Sequence, residues 1–221
     1  MTPNIFFASD FHYAHKNICR GTSSWSNEEG KCRNFNTIEE MNSAIIKSIN
    51  SRVQADDILY HLGDWAFGGW ENIWNFRKQI VCQNIINIDG NHDEHIIKDK
   101  FFPFLEKQEG VIYELESNIN RLWKGYKQEE DVTAKDFFKE THNLLYLEFD
   151  KQKIILSHEP FEIWRDKDKG SIHLHGHVHH GLDNSELNTK YKRKDVGWNG
   201  QIYSLDEVLE DMKDRDINFH H

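Results

Sequence analysis

Five short groups of polar residues recur along the chain, and each directly follows a run of apolar residues. The groups are Asp10-Phe11-His12, Gly63-Asp64, Gly90-Asn91-His92-Asp93, His158 and His175-Gly176-His177-Val178-His179. The apolar runs cover residues 5–9, 58–62, 85–88, 154–156 and 172–174, and their short length predicts buried strands. Open α/β sheets bind ligands where their strands end. The pattern therefore predicts that oxygen and nitrogen ligands gather there, as a two-metal site requires.

Length and composition are typical of one soluble domain. The chain has 221 residues, of which 38% are hydrophobic, and no apolar run is long enough to cross a bilayer. The sequence enters a strand pattern at once, without a secretory signal, so we expect a cytoplasmic protein with no membrane association. Cys19, Cys32 and Cys82 form no C-x-x-C pair, which favours unpaired thiols in a reducing compartment.

Taken in order, the groups D-x-H, G-D, G-N-H-D, H and G-H-x-H resemble the motifs of the calcineurin-like metallophosphoesterases. The resemblance extends from about residue 4 to about residue 209. It implies an α/β (α+β) fold of four layers, in which two facing mixed β-sheets are flanked by helices. The stretches D-F-H-Y-A-H-K-N-I and D-V-G-W-N further resemble small, stand-alone phosphoesterases of bacteria and phages. For a phage protein the expected compartment is the host cytoplasm.

The resemblance also implies a role for each motif residue. One metal would be held by Asp10, His12, Asp64 and His179, and a second by Asp64, Asn91, His158 and His177. A hydroxide that bridges the two metals would attack phosphorus. His92 would face the substrate and stabilise the transition state or protonate the leaving oxygen, while Asp93 holds its imidazole in orientation. Such nitrogen and oxygen ligation fits two divalent ions of Mn, Fe, Zn or Ni, and we expect Mn to serve in vitro.

Two further residues are candidates for contacts with substrate. His15 lies three residues beyond His12 and could face the phosphate, although a loop histidine bonded to the backbone fits the sequence equally well. Arg33 precedes Phe35, and its guanidinium could contact a phosphate with two donors. His173 and His175 are expected to support the ligands or to pack in the sheet.

We expect a single domain over residues 1–221 that contains a helical insertion at about residues 113–142. Apolar positions there predict an amphipathic helix followed by a shorter helix over residues 134–140. A surface helical hairpin is the favoured interpretation of this insertion, ahead of a substrate lid or a dimer contact. Capping boxes at Thr37–Glu40 and Ser204–Glu207 predict two further helix starts.

The expected function is the hydrolysis of a small phosphomonoester or phosphodiester, for which a nucleotide is one candidate. The net charge of −10 argues against broad binding to nucleic acid. It does not argue against a phosphate substrate, since two divalent ions and two ligating carboxylates would leave a local charge of about +2. The alternatives are a nuclease that acts on nucleic-acid ends and a metal-binding scaffold without catalysis. The sequence does not indicate an oligomeric state.

Overall fold

The computed structural model describes residues 2–25, 32–97 and 133–217. Within these ranges the strands are β1 (Ile5–Ala8), β2 (Ile58–His61), β3 (Asn84–Ile88), β4 (Glu140–His142), β5 (Leu144–Phe149), β6 (Gln152–Ser157), β7 (Ile172–His175), β8 (Arg193–Asp195) and β9 (Tyr203–Ser204). The α-helices are α1 (Ile38–Asn50), α2 (Trp70–Arg77), α3 (Glu94–Ile97), α4 (Glu186–Thr189) and α5 (Leu205–Met212). Each of the five apolar runs in the sequence therefore forms a strand, as predicted.

The strands form two mixed sheets. The first has the order β4-β3-β2-β1-β9, in which β9 alone runs antiparallel to its neighbour. The second has the order β5-β6-β7-β8, in which β5 pairs antiparallel with β6 and the remaining pairs are parallel. The predicted fold class, two mixed sheets with helices beside them, is confirmed.

Alternation along the strands divides the apolar side chains between two cores. One face of the first sheet packs against the second sheet in a single buried cluster that includes Phe7, Tyr60, Ile86, Ile154, Leu156 and Leu174. The other face packs against helix α1 in a cluster that includes Phe6, Leu59, Ile85, Met41, Ile45 and Ile49. The far face of the second sheet is covered by the chain around Phe161, whose ring stacks on His173 at 5.1 Å between centroids.

Both predicted helix starts are present, with one difference in detail. The Ser204 hydroxyl accepts from the Glu207 amide, and the Glu207 carboxylate accepts from the Ser204 amide, which completes the capping box of α5. At α1 the Thr37 hydroxyl accepts from the Glu40 amide at 3.1 Å, but the Glu40 carboxylate reaches one residue further back, to the amide of Asn36.

The prediction of a second helix over residues 134–140 was wrong, while residues 113–132 lie outside the described ranges. A single 3-10 turn covers Ala134–Phe137, and the chain then pairs parallel with β3 as strand β4. Phe137 and Phe138 are both buried, and the Lys139 amide donates to the Ile85 carbonyl at 2.8 Å. Tertiary pairing with the open edge of β3 thus overrides a weak local preference for helix.

Two expectations drawn from composition can be compared with the structure. Cys19, Cys32 and Cys82 are free thiols. Within the three described ranges, no helix combines the length and the hydrophobicity that crossing a lipid bilayer demands.

A neutral, buried histidine in β7 predicts a measurable pH dependence of stability. His173 donates through Nδ1 to the Ile155 carbonyl and accepts at Nε2 from the Phe161 amide, and burial lowers its pKa from 6.5 to about 3. The unfolded chain therefore takes up this proton first as the pH falls. The contribution to stability is complete above about pH 6.5 and is lost progressively towards about pH 3.

We expect His173→Gln to reduce the slope of unfolding free energy against pH by up to one proton, about 1.4 kcal/mol per pH unit, between about pH 4 and pH 6. Urea denaturation at a series of pH values measures this slope. His142→Gln, at a partly exposed histidine of β4, serves as the control and should keep the wild-type slope. An unchanged slope in His173→Gln would contradict the assignment.

Candidate metal centre

The polar groups of the sequence lie at one edge of the two sheets. Asp10 follows β1, Asp64 follows β2 and Asn91 follows β3, and these three strands are parallel neighbours whose carboxyl ends meet at one edge. His158 follows β6 and His177 follows the adjacent parallel strand β7. The structure therefore brings together side chains that are up to 169 positions apart in the chain, from Asp10 to His179.

One group of ligand atoms surrounds the side chain of His12. Its Nε2 lies 3.1 Å from His179 Nε2, 3.8 Å from Asp10 Oδ1 and 3.5 Å from Asp64 Oδ2. Two nitrogens bound to one octahedral ion at about 2.1 Å are roughly 3 Å apart. Asp10, His12 and His179 offer ligand atoms that all lie within 4.8 Å of one another, so this group could hold a metal.

A second group of ligand atoms surrounds the amide oxygen of Asn91. That oxygen lies 3.0 Å from His158 Nε2 and 2.9 Å from His177 Nδ1. Asp64 Oδ2 lies 3.5 Å from His158 Nε2 and 3.5 Å from His12 Nε2. Oδ2 of Asp64 thus lies at the same distance from one histidine of each group. A ligand shared by two metal ions would occupy such a position.

The tautomer of His158 suits a metal ligand. Its Nδ1 donates to the Leu62 carbonyl at 2.7 Å, so Nε2 carries a lone pair when the ring is neutral. That lone pair faces the acceptor oxygens of Asp64 and Asn91. Although burial opposes it, the charges of Asp64 and Asp10 raise the pKa of His158, so either a proton on Nε2 or a bound cation can join these atoms, and a divalent metal is a cation that this donor set fits.

The buried carboxylates of the site also call for a cation. Asp10 and Asp64 are 0% and 2% exposed, and in the described ranges the ion-pair partners of both are imidazoles. Burial, reinforced by the nearby Asp64, raises the pKa of Asp10 to about 7. Burying an unpaired carboxylate costs several kcal/mol, a cost that a bound divalent ion would offset. The residues present therefore fit a metal.

The backbone is strained at the ligand positions. Five of the seven predicted ligands adopt left-handed conformations, with φ of 54° at Asp10, 49° at His12, 62° at Asp64, 70° at His177 and 48° at His179. Each such residue costs on the order of 1–3 kcal/mol, and the conformation persists only where the surroundings impose it. This concentration of strain is an independent indication that the loops are shaped for the side chains they present.

Glycines allow the ligand loops to approach one another. Gly63 has a φ of 93°, and a Cβ there would lie 2.5 Å from His158 Nδ1. A Cβ on Gly90 would lie 2.3 Å from Asp64 Oδ1. Gly63 and Gly90 are therefore required because their loops approach other residues too closely for a side chain. Gly63 also needs the backbone freedom of glycine for its positive φ.

The position of Asp93 corrects the role expected for it. Its carboxylate accepts from the amides of Asp64, Gly90 and Trp65 at 2.9, 2.9 and 3.0 Å, and it is 1% exposed. Three backbone donors occupy the carboxylate, which therefore ties the loop after β3 to the loop after β2. Its hydrogen bonds in the described ranges do not reach the His92 ring, so Asp93 does not orient that imidazole.

His92 presents its ring to solvent at the side of the predicted metal ligands. Its amide donates to Asp64 Oδ1 at 2.8 Å, while the ring lies 5.5 Å from the His12 ring and 5.5 Å from the Phe67 ring, between centroids. The ring lines a cavity of about 660 Å³. This is the placement required of a group that contacts substrate.

His15 and Arg33 line the same cavity. His15 Nδ1 accepts from the amides of Asn17 and Ile18 at 3.2 Å each, so its proton is on Nε2, which is left as a donor. The bonding to the backbone, one of the two interpretations of His15, is therefore present, while a contact with phosphate stays a prediction. Arg33 differs from expectation, because its two terminal nitrogens donate to the carbonyls of Asp10 and Phe11. Burial lowers the pKa of Arg33 to about 10, so it remains a cation beside the cavity.

Sequence reasoning assigned no role to two residues that shape the site. The Asp195 carboxylate accepts from the amides of His180 and Gly197 at 2.8 and 2.7 Å, which joins the last histidine group to the loop after β8. The Ser9 hydroxyl donates to the Leu62 carbonyl at 2.7 Å. Asp195 opens the D-V-G-W-N stretch, which was a usable signal, whereas Ser9 has no distinguishing pattern around it.

Comparison with known proteins supports the fold. No family model matches the chain. Over 92 residues the chain is 34% identical to an uncharacterized protein, MJ1445, of Methanocaldococcus jannaschii, a match that covers 41% of this chain and 47% of that protein. The structure is similar to that of AQ665 from Aquifex aeolicus, a protein of unknown function, with a TM-score of 0.56 and 16% identity over 95% of this chain and 99% of that one. The two chains share a fold.

A more distant likeness is to Yfce, a phosphoesterase from E. coli. The TM-score is 0.37 and the identity 13%, over 88% of this chain and 78% of the E. coli chain.

The contacts of Asp93 predict a structural defect rather than a catalytic one. We expect Asp93→Ala to lower the free energy of unfolding by about 3 kcal/mol or more, because three buried amides lose their acceptor. Urea denaturation measures this loss. His92→Ala, which removes an exposed ring from the adjacent position, should leave stability within about 0.5 kcal/mol of wild type. Equal stability of the two variants would contradict this structural role of Asp93.

Proposed function

We propose that this chain is a metal-dependent phosphoesterase with a dinuclear centre. The observation that carries the proposal is the position of Asp64, whose Oδ2 lies 3.5 Å from His12 Nε2 in one ligand group and 3.5 Å from His158 Nε2 in the other. The proposed first site consists of Asp10, His12, Asp64 and His179. The proposed second site consists of Asp64, Asn91, His158 and His177.

The chain's own side chains suit the remaining tasks of phosphate ester hydrolysis. Two divalent ions, when bound, supply an activated water and neutralise the phosphoryl oxygens. His92, with its ring in the cavity beside the ligands, would bind a phosphoryl oxygen or give a proton to the leaving oxygen. His15 would donate from Nε2 to the phosphate, and Arg33 would add a fixed positive charge close by.

The substrate that fits the site is a small phosphomonoester or phosphodiester. Of the residues described around the cavity, Arg33 is the one that carries a permanent positive charge. A nuclease would require a series of cationic contacts to successive phosphates. We therefore rank a small ester ahead of a nucleic-acid end as the substrate. We rank a catalytic role ahead of a scaffold, since the histidines that line the cavity include the exposed His92.

A shared carboxylate predicts the metal content of variants. We expect wild type to retain about two Mn ions per chain after dialysis, His179→Ala about one, and Asp64→Asn fewer than one, since Asp64 serves both groups. Inductively coupled plasma mass spectrometry measures the ratio. His142→Ala, at a histidine on β4 away from the ligands, should retain the wild-type content. Asp64→Asn that holds two ions would contradict a shared ligand.

Catalysis by His92 predicts a loss of turnover without a loss of metal. We expect His92→Ala to lower kcat by about 100-fold or more for p-nitrophenyl phosphate or bis-p-nitrophenyl phosphate with Mn, because the transition state loses the bond that His92 would make to a phosphoryl oxygen. His95→Ala, in the helix that follows, is the matched control and should stay near wild type. Preference between the two esters separates a phosphatase from a phosphodiesterase. Wild type that binds two ions but hydrolyses neither ester, nor a single-stranded end, would indicate a scaffold.

A further inference from the structure

The cavity beside the metal ligands is larger than a phosphate requires. Its volume of about 660 Å³ lies within the range of about 300–1,000 Å³ that is usual for small-molecule sites. His12, His92 and His179 line it at the side of the ligands, while Trp25, Trp198 and Asn199 line it elsewhere. The space is therefore continuous from the metal ligands to a surface of quite different chemistry.

Among the described residues, that surface is aromatic and carries no acid. Although the chain has 37 aspartates and glutamates, none is among the residues described around the cavity. Trp25 is 47% exposed, and Phe67, which packs on His15 and His92, is 39% exposed. Large aromatic side chains left open beside a cavity are typical of ligand contacts, because a flat ring of the ligand would remove them from water.

The positions of these rings are fixed relative to the ligands through His15. Its ring lies 5.4 Å from His12, 4.1 Å from Phe67 and 5.8 Å from Trp25, between centroids. The two amides that bond to His15 Nδ1 hold the ring in place. A phosphate at the predicted metal ligands and a flat group on Trp25 would thus be separated by one side chain, that of His15. The phosphate and the flat group of a compact ester are separated by a similar distance.

We propose that the ester bound here carries a planar aromatic group of nucleobase size, which packs against Trp25 while its phosphate lies at the metal ligands. This inference rests on the proposed function and names the substrate class of the same site. The side chain of the exposed Asn199, which lines the same cavity, bonds to the Tyr203 hydroxyl and retains a further donor and an acceptor for the edge of such a ring. A plain sugar phosphate would leave the exposed part of Trp25 without a contact to the ligand.

Equilibrium binding of two matched monoesters tests the inference. Adenosine 5′-monophosphate and ribose 5-phosphate share their phosphate and sugar and differ only in the base. We expect the Mn-loaded wild type to bind the nucleotide at least about tenfold more tightly by isothermal titration calorimetry. Trp25→Ala should reduce that preference at least about 5-fold, the lower end of the loss expected when one stacking side chain is removed, and Trp25→Phe should retain most of it.

The control is Tyr146→Ala. Tyr146 is an equally exposed aromatic, at 48%, on β5 and away from the cavity, so its removal should leave the preference unchanged. Equal affinities for the two esters in wild type, or a preference that survives in Trp25→Ala, would overturn the inference. Tighter binding of a single-stranded oligonucleotide than of the mononucleotide would overturn it as well, because the ligand would then be a strand.

Parallel assays separate this inference from the function on which it rests. Binding that depends on Trp25, without hydrolysis of any ester, would refute the phosphoesterase and keep the aromatic ligand. Hydrolysis of p-nitrophenyl esters together with equal binding of the two probes would keep the phosphoesterase and refute the aromatic ligand.

Discussion

The site depends on buried carboxylates that bind the backbone amides of neighbouring loops. Asp93 joins the loop after β3 to the loop after β2, and Asp195 joins the loop after β8 to His180. Asp10 accepts from the His177 amide at 3.0 Å, which joins the first sheet to the second. Each carboxylate accepts hydrogen bonds from backbone amides that are not paired between strands and that would otherwise bond to water. The ligand side chains are thereby held in position by the protein itself.

In this arrangement the carboxylates carry negative charge in the protein interior, where burying a charge costs free energy. Burial and the nearby Asp64 raise the pKa of Asp93 to about 6, and Asp10 is raised further, to about 7. The left-handed backbone at the ligands adds to the cost. A cation that binds the folded chain and not the unfolded one would recover this free energy through linkage. Metal binding and stability would therefore be coupled in this fold, because the groups that tie the loops also create the charge.

The sequence sufficed for strands β1, β2, β3, β6 and β7 and for the meeting of the predicted ligands at their ends, because both depend on local patterns and on one rule about strand ends. Strand β4 was missed because its pairing partner, β3, is distant in sequence and its own pattern is weak. The targets of Asp93 and Arg33 were missed for a related reason. Which acceptor or donor a loop side chain contacts depends on how several loops pack together. The bonds from Arg33 to the carbonyls of Asp10 and Phe11 are an example. No periodicity in the sequence predicts that packing.

The outer surface and the cavity differ in charge, which explains how an acidic chain could bind an anionic ligand. The net charge of −10 is spread over a surface that solvent screens, whereas the cavity lining described here is free of carboxylates and includes Arg33. Attraction for a phosphate would come from bound metals and from Arg33, which act at short range in a partly buried space. Charge of that kind does not distinguish one phosphate ester from another. Discrimination would then fall to Trp25 and its neighbours, which would contact the part of the ester that carries no charge.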